Sequence, residues 1–244
     1  MTFAWRSELL KIATVRGQWV SALLATAAIP VISFLVVSTG GLGSGESSTR
    51  GAATGTLAGL LAFGAWSATI AAGEYAQGTM VTSLTTVPRR LTLYGAKLSA
   101  TATVAGAGAL LSAIIAWLVV LGVRAPGPYG LGDPASLASV LLAIVTVAVI
   151  GVSVGLITRS PSAAIALVVV ALLLPKAASG LLGGLQPWII GASPDTVVTE
   201  LIGGGHLAAD QTFPAGALAA ALSMVGVALV VAAGGAVAFL RRDG

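Results

Sequence analysis

Apolar runs of roughly 20 residues, the length that spans a bilayer's hydrocarbon core, recur along this chain with short polar breaks between them. Six such runs are read, at residues 19–39, 51–73, 94–123, 134–157, 163–185 and 213–240. The third is longer than a straight crossing needs, which allows tilt. The fifth is broken by Pro175. In lipid each run must be a helix, because a backbone polar group left unpaired there costs several kcal/mol. A transmembrane barrel would show short alternating segments instead. The pattern predicts an all-α, polytopic membrane protein with six transmembrane helices in one domain, residues 1–244.

Residues 1–18 precede the first run. Trp5, Leu9, Ile12 and Trp19 recur at helical spacing with Arg6, Lys11 and Arg16 interspersed. This predicts an amphipathic helix lying in the membrane interface. The polar lead is too long, and the first run too close to full spanning length, for a cleaved signal peptide. A Gly/Ser-rich loop over 40–49 follows the first run and is expected to be mobile.

Composition agrees. Charged residues make up 8% and hydrophobic residues 57% of 244, and mean hydropathy is +1.01. A soluble domain carries about 25% charged residues, so a water-facing surface cannot be built. There is no cysteine, which excludes disulfides and thiolate metal sites. The net charge of +4 and pI near 10.0 come from basic residues scattered between apolar runs. They report topology rather than nucleic-acid binding. Arg6, Lys11, Arg16, Arg89, Arg90, Lys97, Arg159, Arg241 and Arg242 fall on one side. The other side holds Arg50, Arg124 and Lys176 beside Glu46, Asp133, Asp195, Glu200 and Asp210. The basic side is cytoplasmic, so both termini are expected inside.

Candidate chemistry is sparse. Intramembrane charge marks ion paths and proton relays, and Lys176, after Pro175, is the one cation read within a run. Snorkelling to the interface explains it; the sharper reading makes Pro175 and Lys176 a candidate gate. Gly151, Ser153 and Gly155 match a serine-nucleophile string, but inside a membrane helix rather than on a strand–turn–helix elbow. Small-residue helix packing is the better account. Gly51, Gly55 and Gly59 line one helix face, as helix packing within a subunit or as a dimer seam. No phosphate-cradling G-x-x-x-x-G-K-[ST] string occurs, so no ATP site is expected here.

The segment after the second run is the most informative: Gly73-Glu74-Tyr75-Ala76-Gln77-Gly78-Thr79, then Met80 to Thr86, Pro88, Arg89 and Arg90, with Lys97 beyond. It reads as a helix end, a break at Gly78, a short helix N-capped by Thr79 and a stop at Pro88. Glu74 sits where the helix dipole disfavours a negative charge. It is therefore expected to have a basic partner, with Arg89, Arg90 or an arginine of another chain as candidates. Met80, Val81 and Leu84 are read as an apolar docking face.

These residues resemble the corresponding connection of type-2 ATP-binding-cassette (ABC) exporter permeases. Glu74, Tyr75, Gly78, Thr79, Pro88, Arg89, Arg90 and Lys97 fill the family's places, and Glu8-Leu9-Leu10-Lys11 with Thr14, Val15, Arg16 and Trp19 looks like its opening interfacial helix. The resemblance extends over essentially the whole chain. It implies a transmembrane subunit in the plasma membrane that pairs with a second permease copy, as homodimer or heterodimer. Two separate ABC ATPase subunits would carry ATP and Mg; this chain would bind no cofactor and be no enzyme. Residues 74–90 would form the coupling helix, through Glu74, Tyr75, Gly78, Thr79, Leu84, Pro88, Arg89 and Arg90. Residues 186–212 would form an outer cap. The long apolar helices favour a hydrophobic or amphipathic substrate: a drug, an antimicrobial peptide or a lipid-like molecule. The competing readings are a membrane-embedded enzyme, which needs clustered Asp, Glu or His, and an ATP-independent secondary carrier, which needs paired broken helices.

Overall fold

A computed structural model describes residues 2–42, 46–86, 89–123, 130–203 and 207–242. Pro88 and His206 lie outside the described residues. The side chains of Thr2, Thr86 and Arg242 are likewise not described. Among the described residues the chain is helical, without strands. The helices are α1 (Thr2–Thr14), α2 (Arg16–Ser38), α3 (Ser48–Ala53), α4 (Thr56–Ala76), α5 (Met80–Thr86), α6 (Arg90–Val123), α7 (Ala138–Thr158), α8 (Pro161–Ala177), α9 (Gln186–Gly191), α10 (Pro194–Leu201) and α11 (Ala217–Arg242).

Five helical runs among the described residues are long and apolar enough to cross a membrane: α2, α3 with α4, α6, α7 with the 3-10 turn before it, and α11. This is the makeup of a multi-pass membrane protein. The fifth predicted run is corrected. The sequence predicts it over 163–185, but α8 spans 17 residues and ends just beyond Pro175. The proline is accommodated in the last turn, and the helix stops at Ala177 because turns at Gly180 and Gly183, both at positive φ, lead into α9.

The centre of the bundle is α4 against α7; α2 packs on α4 and α6, α6 and α11 pack on α7, and α8 packs on both α4 and α7. Glycine makes the α4–α7 approach close. A Cβ on Gly151 would lie 2.8 Å from the Gly64 carbonyl oxygen, and one on Gly155 would lie 2.5 Å from that of Ala68. The Gly151–Gly155 string is thus a backbone contact surface. Ser153 between them is fully buried, donates to the Val149 carbonyl and lies 3.1 Å from the Tyr94 hydroxyl. Tyr94 donates in turn to the Ala232 carbonyl of α11 at 2.6 Å, so one hydroxyl ties α6 and α7 to α11.

Gly55 and Gly59 meet α2 of the same chain. A Cβ on Gly55 would overlap the Ile29 carbonyl, and one on Gly59 would lie 2.5 Å from the Ile29 side chain. Gly51 faces Leu42 and Val120. The described part of the 40–49 stretch is also more ordered than expected, because Ser47 N-caps α3 by accepting from the Arg50 amide and Glu46 pairs with Arg50 at 3.2 Å.

At one end of the bundle lie α3, α9 and α10. Within the 186–212 stretch one face of α10 is buried: Asp195, Thr196, Val197 and Val198 pack on α7, α11 and α4. Gln186 braces this region, accepting from the Gly180 amide and donating to Asp210, each at 2.6 Å. Lys176 pairs with Asp195, so it is tied to α10.

Candidate functional site

The opposite end carries the chemistry. There α4 ends in a left-handed cap. Gly78 has φ +69°, its amide donates to the Tyr75 carbonyl at 3.2 Å, and the Thr79 amide donates to the Glu74 carbonyl at 3.0 Å. These paired bonds satisfy carbonyls that the helix end would otherwise leave open. The break predicted at Gly78 is where the chain turns. Thr79 then starts α5, its carbonyl accepting from the Ser83 amide at 3.2 Å. The Thr79 hydroxyl points back, donating to Glu74 O at 3.4 Å.

This turn folds α5 under α4 and brings Glu74 against the first turns of α6 and against α1. Lys97, 1% exposed, donates to Glu8 Oε2 and to Glu74 Oε1, both at 2.7 Å. Lys11 donates to Glu8 Oε1 at 2.6 Å, to Glu74 Oε1 at 3.1 Å and to Ser83 Oγ at 2.9 Å. Ser83 reaches Glu74 Oε2 at 3.3 Å. Two carboxylates and two ammonium groups thus form one charge-balanced cluster joining α1, α4, α5 and α6.

Burial alone would raise the Glu8 carboxyl. The Lys97 charge and the hydrogen bonds from Lys11 and Lys97 outweigh it and hold Glu8 below its ordinary value of 4.5. Burial alone would lower Lys11; the Glu8 hydrogen bond and the Glu8 and Glu74 charges outweigh it and raise Lys11 above 10.5. Each group is held in its charged form. A cleft of about 290 Å³ opens beside the cluster, walled by Glu8, Lys11, Gln18, Glu74, Gln77 and Thr82 among others.

Several expectations change here. Glu74 has the basic partner its position demanded, but the partners are Lys97 and Lys11 rather than Arg89 or Arg90. The Arg89 side chain is exposed, and Arg90 opens α6. Lys97, grouped above with the basic residues of the cytoplasmic side, is an interior residue of α6, so Lys176 is not the only cation within the helices. Met80 and Leu84, read as an outward docking face, point inward. Met80 is 4% exposed and packs with Ala71, Leu93, Tyr94, Val152, Leu156 and Phe239, with Leu84 against the same cluster. Among the described side chains of α5, Val81, Thr82 and Thr85 are exposed. The buried stripe of α1 is Ala4, Glu8 and Ile12, while Phe3 and Leu10 are exposed.

Tyr75 is engaged from another direction. The Arg159 guanidinium lies 4.9 Å from its ring centroid, a cation–π contact. Arg159 holds φ +57° at the end of α7, which turns the α7–α8 connection onto the end of α4. Glu8 is a cluster member that the apolar-run pattern does not mark. Its signal was the i, i+4 spacing from Ala4 and to Ile12, a stripe that puts an acid on the buried face of α1. Among the described residues, no group of three or more His, Cys, Asp or Glu is placed to hold a metal ion. In comparison with known proteins, no family model and no curated protein matches this chain.

Proposed function

We propose that this chain is the transmembrane subunit of an ATP-driven exporter of the type-2 ABC kind. The observation that carries the reading is the charge cluster: Lys97 bonded to Glu8 and Glu74, with Lys11 and Ser83 completing the set. It clamps α1, the end of α4, α5 and the start of α6 into one body. A helix that transmits force from a soluble ATPase needs such an anchor, because a lone seven-residue helix is too short to be stable by itself. With α5 held from inside by Met80, Ser83 and Leu84, its outer residues Val81, Thr82 and Thr85 are offered to a partner.

In this reading α8 is a sixth, shorter crossing, and α1 and the end of α11 share the cytoplasmic side of the plasma membrane. The α1 surface bearing Phe3, Arg6 and Leu10 lies in the headgroup layer. Two copies pair, each binding an ATPase subunit that supplies Mg and ATP. The 186–212 stretch closes the outer end, with Lys176 and Asp195 at its hinge, and the exported molecule is hydrophobic or amphipathic.

Affinity purification of the tagged chain from its own host's membranes tests this. A Walker-A ATPase should co-purify with the wild type. It should be lost from Val81→Asp, while that variant keeps its melting temperature because Val81 is 68% exposed. Absence of any such ATPase from the wild-type sample, or equal recovery with Val81→Asp, refutes the reading.

A further inference from the structure

A second cavity, of about 350 Å³, lies at the far end of the bundle from the charge cluster, between α7, α8, α9 and α11. Val168, Leu172, Pro175, Trp188, Met224 and Val227 are among its walls. Its hydroxyl, Ser193, already donates to the Ile190 carbonyl at 2.6 Å. The walls therefore present little that would retain water, and apolar cavities of this kind stay dry or take apolar guests. The volume falls within the range of ligand pockets.

The mouth decides the guest. Trp188, Ile189 and Val227 line the cavity and are also exposed, as are Leu173 and Leu174 of α8. The opening thus lies on an apolar surface, the kind that faces lipid in a protein with five membrane-length helices.

Polar chemistry stands at the same level. Lys176 and Asp195 adjoin the wall residues Pro175 and Pro194 in sequence, and they pair with each other. The Lys176 side chain is 45% exposed, and an ammonium group has three donors, so donors remain beyond the Asp195 bond. Lysine and tryptophan are the residues that anchor at headgroup depth.

We propose that this cavity holds one acyl chain of a bilayer phospholipid whose phosphate is bound by Lys176. The inference does not rest on the exporter reading. The full chain in nanodiscs doped with phosphatidylglycerol bearing a photoreactive diazirine at one chain end tests it. Labelled peptides should concentrate at Trp188 and Met224, beyond the share found on the exposed face of α2. That excess should fall about tenfold in Ala171→Trp, which fills the cavity, and about threefold in Lys176→Gln, which removes the charge on the phosphate-binding donor. Labelling at Trp188 and Met224 no greater than on α2 overturns the proposal. So does an excess untouched by either substitution, or one lost in Ala171→Trp but unchanged in Lys176→Gln. Disulfide formation between chains by a Trp188→Cys variant, with loss of labelling, would put a second copy over the mouth and equally overturn it.

Discussion

The Lys97 ammonium lies 2.7 Å from the Glu74 carboxylate, joining the start of α6 to the end of α4 across a separation of 23 residues. Lys97 is 1% exposed, so water cannot take the place of a lost carboxylate at its ammonium. Glu8, also buried, holds the same ammonium from α1. The turn at Gly78 lets these three elements meet, and the resulting neutrality of the cluster lets them stay buried.

Lys97→Met should therefore destabilise the fold by about 3–5 kcal/mol, the cost of breaking a buried pair and leaving its partner charged. Two carboxylates would then share Lys11 alone. Adding Glu8→Gln should recover part of the loss by restoring neutrality. Thermal unfolding in detergent measures both. A loss below about 1 kcal/mol for Lys97→Met would show that the cluster is solvated like a surface pair.

Docking of α1 should be insensitive to pH across the neutral range and fail at both extremes. Glu8 is held below 4.5, so its contribution is complete above that value and is lost as pH falls through its lower folded value. Lys11 is held above 10.5, so its contribution is complete below that value and is lost as pH rises through its higher folded value. The groups facing them are Glu74 and Lys97. Limited proteolysis of α1 against pH reads this directly, and release of α1 between pH 6 and 8 would contradict it.

Two glycines should respond differently to the same substitution. Gly78→Ala adds a Cβ into open space, so its penalty is conformational only: about 1–2 kcal/mol for a left-handed residue with a side chain. Asparagine there should cost less. Gly55→Ala drives a Cβ into the Ile29 backbone and must push α2 off α4, a steric cost that asparagine would worsen. Melting temperatures of the four variants separate the two causes. Equal responses at both positions would refute the distinction.

The helical, membrane-crossing character of the chain was legible in apolar run length, because hydrocarbon admits few backbone arrangements and leaves a strong signature in composition. The break at Gly78 was legible too, since a left-handed turn after a helix favours glycine. The basic partner of Glu74 was legible as a need, from the unfavourable dipole at a helix end, but not as an identity. Lys97 and Lys11 are 23 and 63 residues away, and only the packing of α1 and α6 around α4 brings them within reach. The inward direction of Met80 and Leu84 was hidden for the same reason. A seven-residue helix has an apolar stripe whichever way it faces, and the space beneath α4, filled by Leu93, Leu156 and Phe239, is what turns that stripe inward. Where α10 lodges depends on long-range contacts such as Lys176 with Asp195. Local periodicity carries no information about such pairs, because their partners are chosen by the folded volume and not by neighbours along the chain.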